Sequence, residues 1–279
     1  LYSIIILLLF FCFPEVIISS STSYYFRTLG INDGLSQSTV NAILQDQKGF
    51  MWIGTKDGLN QYDGQECRVF QKENSSLGNN FITALYEDCE GYIWVGTDAG
   101  VYIYNPVQEA FQFLDTEIAS SGEKITRAVT WITSDSQNNI WISVDNQGLF
   151  CYNRGKKNLT KVVSCGKSGI ANVTHFWFYA GQLWIARYED NLYVSKDNSS
   201  FNAFNDVDGE DIFKGLVINS YVEGLHNCLY VGTSKGLMEI NLTSRKVRKL
   251  LDEYVRDICF RSDTDLWIGT EQGLYIYNI

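Results

Sequence analysis

One unit, written six times, leaves this chain few folds to choose from. IWVGTDAGVYIYNP, from Ile93 to Pro106, is its clearest copy, and the others start at Met51, Ile140, Leu183, Leu229 and Leu266. Each copy reads as an apolar pair with Trp or Tyr second, a small-residue pair, a polar turn and a second short strand. Turn pairs such as Asp57-Gly58, Ala99-Gly100, Lys235-Gly236 and Gln272-Gly273 suit the positive φ that tight hairpins require. Glycine ahead of the turn in four copies (Gly54, Gly96, Gly232, Gly269) would let neighbouring sheets approach closely.

The unit extends in both directions. Val40, Ile82, Val129, Ile218 and Val255 lie twelve residues before Trp52, Trp94, Trp141, Tyr230 and Trp267, and Val173 lies eleven before Trp184. An apolar strand and a polar turn fill each interval. Downstream, Cys67–Gln71, Ala110–Leu114, Leu159–Val163 and Lys246–Leu250 read as a further strand. The pattern predicts four short antiparallel strands per copy. The aromatic positions advance in steps of 42, 47, 43, 46 and 37 residues. A four-stranded repeat of about 40–45 residues is the mark of a β-propeller blade. The predicted fold class is therefore all-β, a propeller of four-stranded antiparallel blades with six repeats visible. Because a single blade would leave its faces wet, the recurring Trp or Tyr is read as filler between blades rather than as a ligand platform.

Composition agrees and excludes some functions. The chain has 279 residues, 45% of them apolar, with two prolines, which suits one large all-β domain and argues against disorder. A net charge of −10 gives no general attraction for nucleic acid or anionic membrane. Seven scattered cysteines without a Cys-x-x-Cys pair, and only His175 and His226, point to free thiols and to no metal site. No nucleophile elbow, phosphate loop or zinc-protease motif occurs, so no catalytic residue and no cofactor is expected. Asp46, Asp88 and Asp135 occupy equivalent turns, which favours a turn-stabilising role over catalysis.

Ile4 to Phe13 is an unbroken apolar run, followed by Pro14, Glu15 and the small polar residues Ser19 to Ser23. Residues 1–21 are read as an export signal whose start is missing, too short for an ordinary membrane span. Residues 22–279 are read as the propeller, incomplete at its C-terminal end. Tyr24 to Leu29 reads as a lone strand that would complete the last blade and hide sheet edges.

The blades that depart from the repeat carry the functional signal. Blade three has Ser143-Val144 in place of Gly-Thr and a longer turn, and its inner strand carries Trp131. Blade four replaces the Gly-Thr-x-x-Gly pattern with Ala186-Arg187-Tyr188-Glu189-Asp190-Asn191. A repeat position that abandons its consensus has lost a folding reason. One face would then collect Asp145, Asn146, Arg187, Tyr188 and Glu189, with His175 and Trp131. Aromatic rings stack on the C–H faces of a sugar, and planar polar groups bond its hydroxyls, so the candidate ligand is an oligosaccharide. Drift in two imperfect blades is the competing explanation.

IWVGTDAGVYIYNP and LWIGTEQGLYIYNI, with the inner strand and polar turn that precede them, resemble the two-component regulator propeller repeat. That repeat typifies the periplasmic sensor region of hybrid two-component systems in polysaccharide-degrading bacteria. SYYFRTLGINDGLSQSTVNAILQDQKGFMWIGTKDGLNQYDG is similar to the opening of such sensors. The resemblance spans residues 24–279 and is poorest in blades three and four. It implies a seven-bladed ring, a periplasmic location, detection of glycan fragments, and a membrane span, homodimerisation and a histidine kinase elsewhere in a longer parent. The alternative is a secreted propeller acting as a carbohydrate-active enzyme or a protein-interaction scaffold.

Overall fold

The computed structural model describes residues 25–162, 173–198 and 200–279. The leader expected over residues 1–21, Cys12 and Cys165 lie outside them. Among the described residues, 23 strands and one short 3-10 turn, Ile31–Asp33, make up the regular structure. No helix there is long and apolar enough to cross a membrane.

The strands form the blades of a β-propeller in chain order. Blade one is β1 (Val40–Gln45), β2 (Met51–Thr55), β3 (Gly58–Tyr62) and β4 (Cys67–Phe70). Blade two is β5 (Ile82–Glu87), β6 (Ile93–Thr97), β7 (Gly100–Asn105) and β8 (Ala110–Phe113). Blade three is β9 (Val129–Ser134), β10 (Ile140–Val144), β11 (Gly148–Asn153) and β12 (Asn158–Lys161). Blade four is β13 (Val173–Tyr179), β14 (Gln182–Arg187), β15 (Leu192–Ser195) and β16 (Asn202–Ala203). Blade five is β17 (Ile218–Glu223), β18 (Cys228–Thr233), β19 (Gly236–Asn241) and β20 (Val247–Leu251). Blade six has β21 (Val255–Phe260), β22 (Asp265–Thr270) and β23 (Leu274–Asn278). Five sheets are four-stranded antiparallel meanders and the sixth has three strands.

The repeated aromatic residue is what joins the blades. Trp52 of blade one packs with Ile93, Val95, Tyr104 and Phe111 of blade two. Trp94, Trp141, Trp184 and Tyr230 each repeat this against the following blade. A buried Trp removes roughly 200 Å² from water, which is on the order of 5 kcal/mol of transfer free energy as an upper bound. Glycine sets how closely the sheets meet. A Cβ on Gly54 would lie 2.5 Å from Cγ2 of Ile82, and one on Gly96 would lie 2.8 Å from Cγ1 of Val129.

Polar side chains add a second link around the inner strands. Every inner strand carries a register shift after its first residue. Such a bulge redirects the neighbouring side chain. Asn41 Nδ2 donates to Ile82 O at 2.8 Å, Thr130 Oγ1 to Val173 O at 2.9 Å, and Asn219 Nδ2 to Val255 O at 2.7 Å.

Blade six differs in what covers its outward face. Val101 on β7 is 0% exposed, while its counterpart Leu274 on β23 is 43% exposed. A Cβ on Gly269 would meet nothing nearer than Asp257 O at 3.5 Å. The expected closing strand does not form: residues 25–30 carry no strand, and blade six keeps three. Instead the Phe26 ring sits 6.4 Å from that of Trp267. Among the described residues, the segment meets blade six at this ring and not through a backbone ladder.

Candidate functional site

Four blades build the turn between their second and third strands in one way. Thr55 Oγ1 donates to Gly58 O at 2.9 Å and accepts from Asp57 N at 3.1 Å. Thr97, Thr233 and Thr270 do the same. Val144 and Arg187 stand at that position in blades three and four, so their turns are built differently.

The seven residues picked from sequence all lie at this end of blades three and four. Trp131 pairs with Ser143 and His175 with Ala186, each one step in from the turn. They fall into three groups. Asp145 and Asn146 are exposed at the blade-three turn, where Asn146 Nδ2 donates to Asp145 Oδ2 at 3.0 Å. In blade four, Arg187 binds Asp190 at 2.8 Å and lies 5.7 Å over the Tyr193 ring. Tyr193 OH also donates to Asp190 Oδ2. Tyr188 is 54% exposed beside Glu189, whose charge and hydrogen bond push the phenol pKa up.

Trp131 and His175 are different. Their rings lie 4.6 Å apart, half-buried in the inner wall. His175 Nδ1 and Trp131 Nε1 are enclosed without partners. Burial pushes the His175 imidazole down to about 4, and its hydrogen bond to the Ile218 backbone offsets part of that. His175 thus stands with Trp131 in the inner wall, set back from the exposed turn of Arg187 and Tyr188.

The repeated aspartates do what turn residues do. Asp46, Asp88 and Asp135 each accept two backbone N–H groups of their own turn. The other oxygen accepts the indole Nε1 of Trp52, Trp94 or Trp141 at 2.8 Å. Burial raises the Asp135 carboxyl, but bonds from Trp141, Asn139 and the turn amides outweigh it and hold the group below the ordinary carboxylate range. Cys67, Cys89, Cys151, Cys228 and Cys259 are free thiols. Among the described residues no three His, Cys, Asp or Glu side chains are grouped to hold a metal.

Sequence reasoning missed a cavity at the other end of blade four. A cavity of about 720 Å³ opens between blades four and five, at the opposite end from the Arg187 turn, with Trp184, Phe204 and Arg245 in its wall. The readable signal was the absence in blade four of the aspartate that precedes the tryptophan in blades one to three.

Comparison with known proteins places the repeat. The profile described as "Two component regulator propeller" matches residues 34–57, 76–99 and 249–272. These segments hold the first two strands of blades one, two and six. A histidine kinase of Formosa agariphila, named "Histidine kinase P4", is 40% identical over 53 residues, covering 19% of this chain and 4% of that protein. Among solved structures, the extracellular domain of the hybrid two-component system BT3049 from B. thetaiotaomicron matches with a TM-score of 0.75 and 26% identity. That match covers 91% of this chain and 35% of the other. A catalytically inactive virginiamycin B lyase from Staphylococcus aureus matches at TM-score 0.62 and 12% identity, over 86% of this chain and 84% of that one, which shows the fold alone. The chain thus spans about a third of the solved extracellular domain, and its match covers a small fraction of the kinase.

Proposed function

From a chain that carries the two-component regulator propeller repeat, we propose an extracytoplasmic sensor domain of a hybrid two-component system. In this reading it receives glycan fragments at the common end of blades three and four. The observation that supports it most is the likeness to the BT3049 extracellular domain over nine-tenths of this chain. The location is the periplasmic side of an inner membrane. A longer parent supplies the membrane span, the homodimer contact and the histidine kinase. The propeller itself performs no chemistry in this scheme.

The site fits that task physically. Tyr188 offers an exposed ring, while Asp145, Asn146 and Glu189 offer hydroxyl partners on turns freed from the threonine pattern. Arg187, held by Asp190, is a pre-oriented donor. A ligand signals only by binding one arrangement of the parent better than another. A body of interlocked blades would carry such a bias to the rest of the protein as a rigid unit.

The test is calorimetry of the purified chain against a panel of neutral oligosaccharides, with product analysis of the same mixtures. The sensor reading expects saturable binding without product, weakened at least tenfold in the Arg187→Ala, Tyr188→Ala double variant. Unchanged affinity in that variant removes the site. Released product would favour a carbohydrate-active enzyme, and neither binding nor product would leave a protein-interaction scaffold.

A further inference from the structure

Blade four keeps its tryptophan but has lost the carboxylate that serves it. The first-to-second strand connection is shortened to Ala180 and Gly181, with φ of 48° and 72°. Trp184 remains, 3% exposed, packed against Phe204 and stacked on Trp177. Its indole Nε1 is enclosed and has no hydrogen-bond partner. In blades one to three the same atom meets an Asp Oδ2 at 2.8 Å. A buried N–H left unpaired is costly, so an acceptor at this place would be bound favourably.

The place is open. Trp184 lines the 720 Å³ cavity, within the size range of small-molecule sites. Tyr179, Ala180 and Gln182, which flank the missing turn, line it too. Tyr179 OH donates to Asn227 Oδ1 at 3.2 Å and ties the two blades across the cavity.

The charge around it is specific. In a chain of net charge −10, Lys196 and Arg245 both face this cavity. The Arg245 guanidinium lies 5.3 Å over the Phe204 ring. The cavity's one carboxylate, Asp197, is occupied by the Ser195 and Ser200 hydroxyls and the Ser200 amide. Two cations, an unmet buried donor and aromatic walls together call for an anionic acceptor attached to a body with apolar faces.

We propose that this cavity binds a ligand through a carboxylate that takes the place of the missing blade-four aspartate. The ligand carboxylate accepts the Trp184 indole N–H, Lys196 and Arg245 balance its charge, and Phe204 and Tyr179 flank the body that carries it. The chemistry is shared by the uronate units of acidic glycans and by free organic acids. This site is separate from the turn face of Arg187 and does not depend on that face binding anything.

The test is calorimetry of the purified chain at pH 7 with three probes: tri-galacturonate, neutral galactotriose and glutarate. Expected is one tri-galacturonate per chain, with galactotriose at least tenfold weaker. Trp184→Phe and Arg245→Ala should each weaken the acid at least fivefold, with circular dichroism confirming the fold. Arg68→Ala, a surface arginine in blade one, should bind like the parent. Glutarate binding as tightly as tri-galacturonate assigns the site to free acids; glutarate at least tenfold weaker assigns it to acidic glycans. Equal binding of the neutral and acidic trisaccharides overturns the proposal. So does the absence of binding by both acids, or full affinity retained in folded Trp184→Phe and Arg245→Ala.

Discussion

The indole Nε1 of Trp94 donates to Oδ2 of Asp88 at 2.8 Å, and both side chains are 2% exposed. Arg154 reaches the same oxygen at 3.0 Å from the next blade. One carboxylate thus closes its own turn, satisfies the inter-blade tryptophan and meets a cation of blade three. Asp88→Ala leaves a buried indole N–H, turn amides and a guanidinium short of an acceptor. The expected loss is about 2–4 kcal/mol by urea unfolding. Trp184→Phe gives up no hydrogen bond, so any loss there should come from packing alone. Unchanged stability in Asp88→Ala would show that its bonds do not organise the turn.

The inter-blade glycines should respond to alanine according to what lies opposite. At Gly54 the added Cβ would lie 2.5 Å from Ile82, and at Gly232 it would lie 2.6 Å from Val255 and from Ser220. Overpacking of that kind costs about 1–3 kcal/mol. Gly269 has no such neighbour, so Gly269→Ala should change the melting temperature little. Ser143 and Ala186 already occupy the position in blades three and four. Equal losses at the three glycines would mean that local backbone, not the next blade, explains the residue.

His175 makes stability depend on pH in a defined window. Its imidazole titrates at about 4 in the folded chain and near 6.5 when exposed. Between those values the unfolded chain binds more protons, so folding loses stability as pH falls from about 6.5 to about 4. Above 6.5 the contribution is constant. The expected loss from this one group is on the order of 3 kcal/mol over the window. His175→Phe should flatten the curve there in urea unfolding series. An imidazole NMR titration midpoint near 6.5 would contradict the enclosed geometry.

Thiol reactivity should follow burial. Cys89 is exposed, whereas burial pushes the Cys151 thiol up to about 11. Only the thiolate attacks an alkylating reagent. Iodoacetamide at pH 8, followed by peptide mass spectrometry, should modify Cys89 at least tenfold faster than Cys151. Comparable rates would mean that blade three opens readily.

Much of this was written along the chain. The blade repeat was legible because a strand alternates sides every second residue and a tight turn demands glycine at positive φ, as Gly58 and Gly100 show at 124° and 116°. The aspartates were legible as turn residues because their partners lie two, four and six positions away. The likeness to the two-component regulator propeller repeat was legible in blades one, two and six, where the motif is intact. The common end occupied by Asp145 and Arg187 followed from repeat phase alone.

Other features depend on contacts that no local pattern contains. His175 read as part of the turn face, and its ring lies half-buried in the inner wall, 4.6 Å from that of Trp131. Tyr24 to Leu29 read as a strand, but alternation cannot say whether a partner edge is available; the described residues 25–29 form none, and Phe26 lies by the Trp267 ring. The cavity beside Trp184 needs two blades to be positioned before it exists. The sequence by itself determined the blades, because pleat, turn and indole–carboxylate bond all act within a few residues. Only the tertiary structure decided which donors lack partners and which faces stay open, because those follow from how one blade lies on the next.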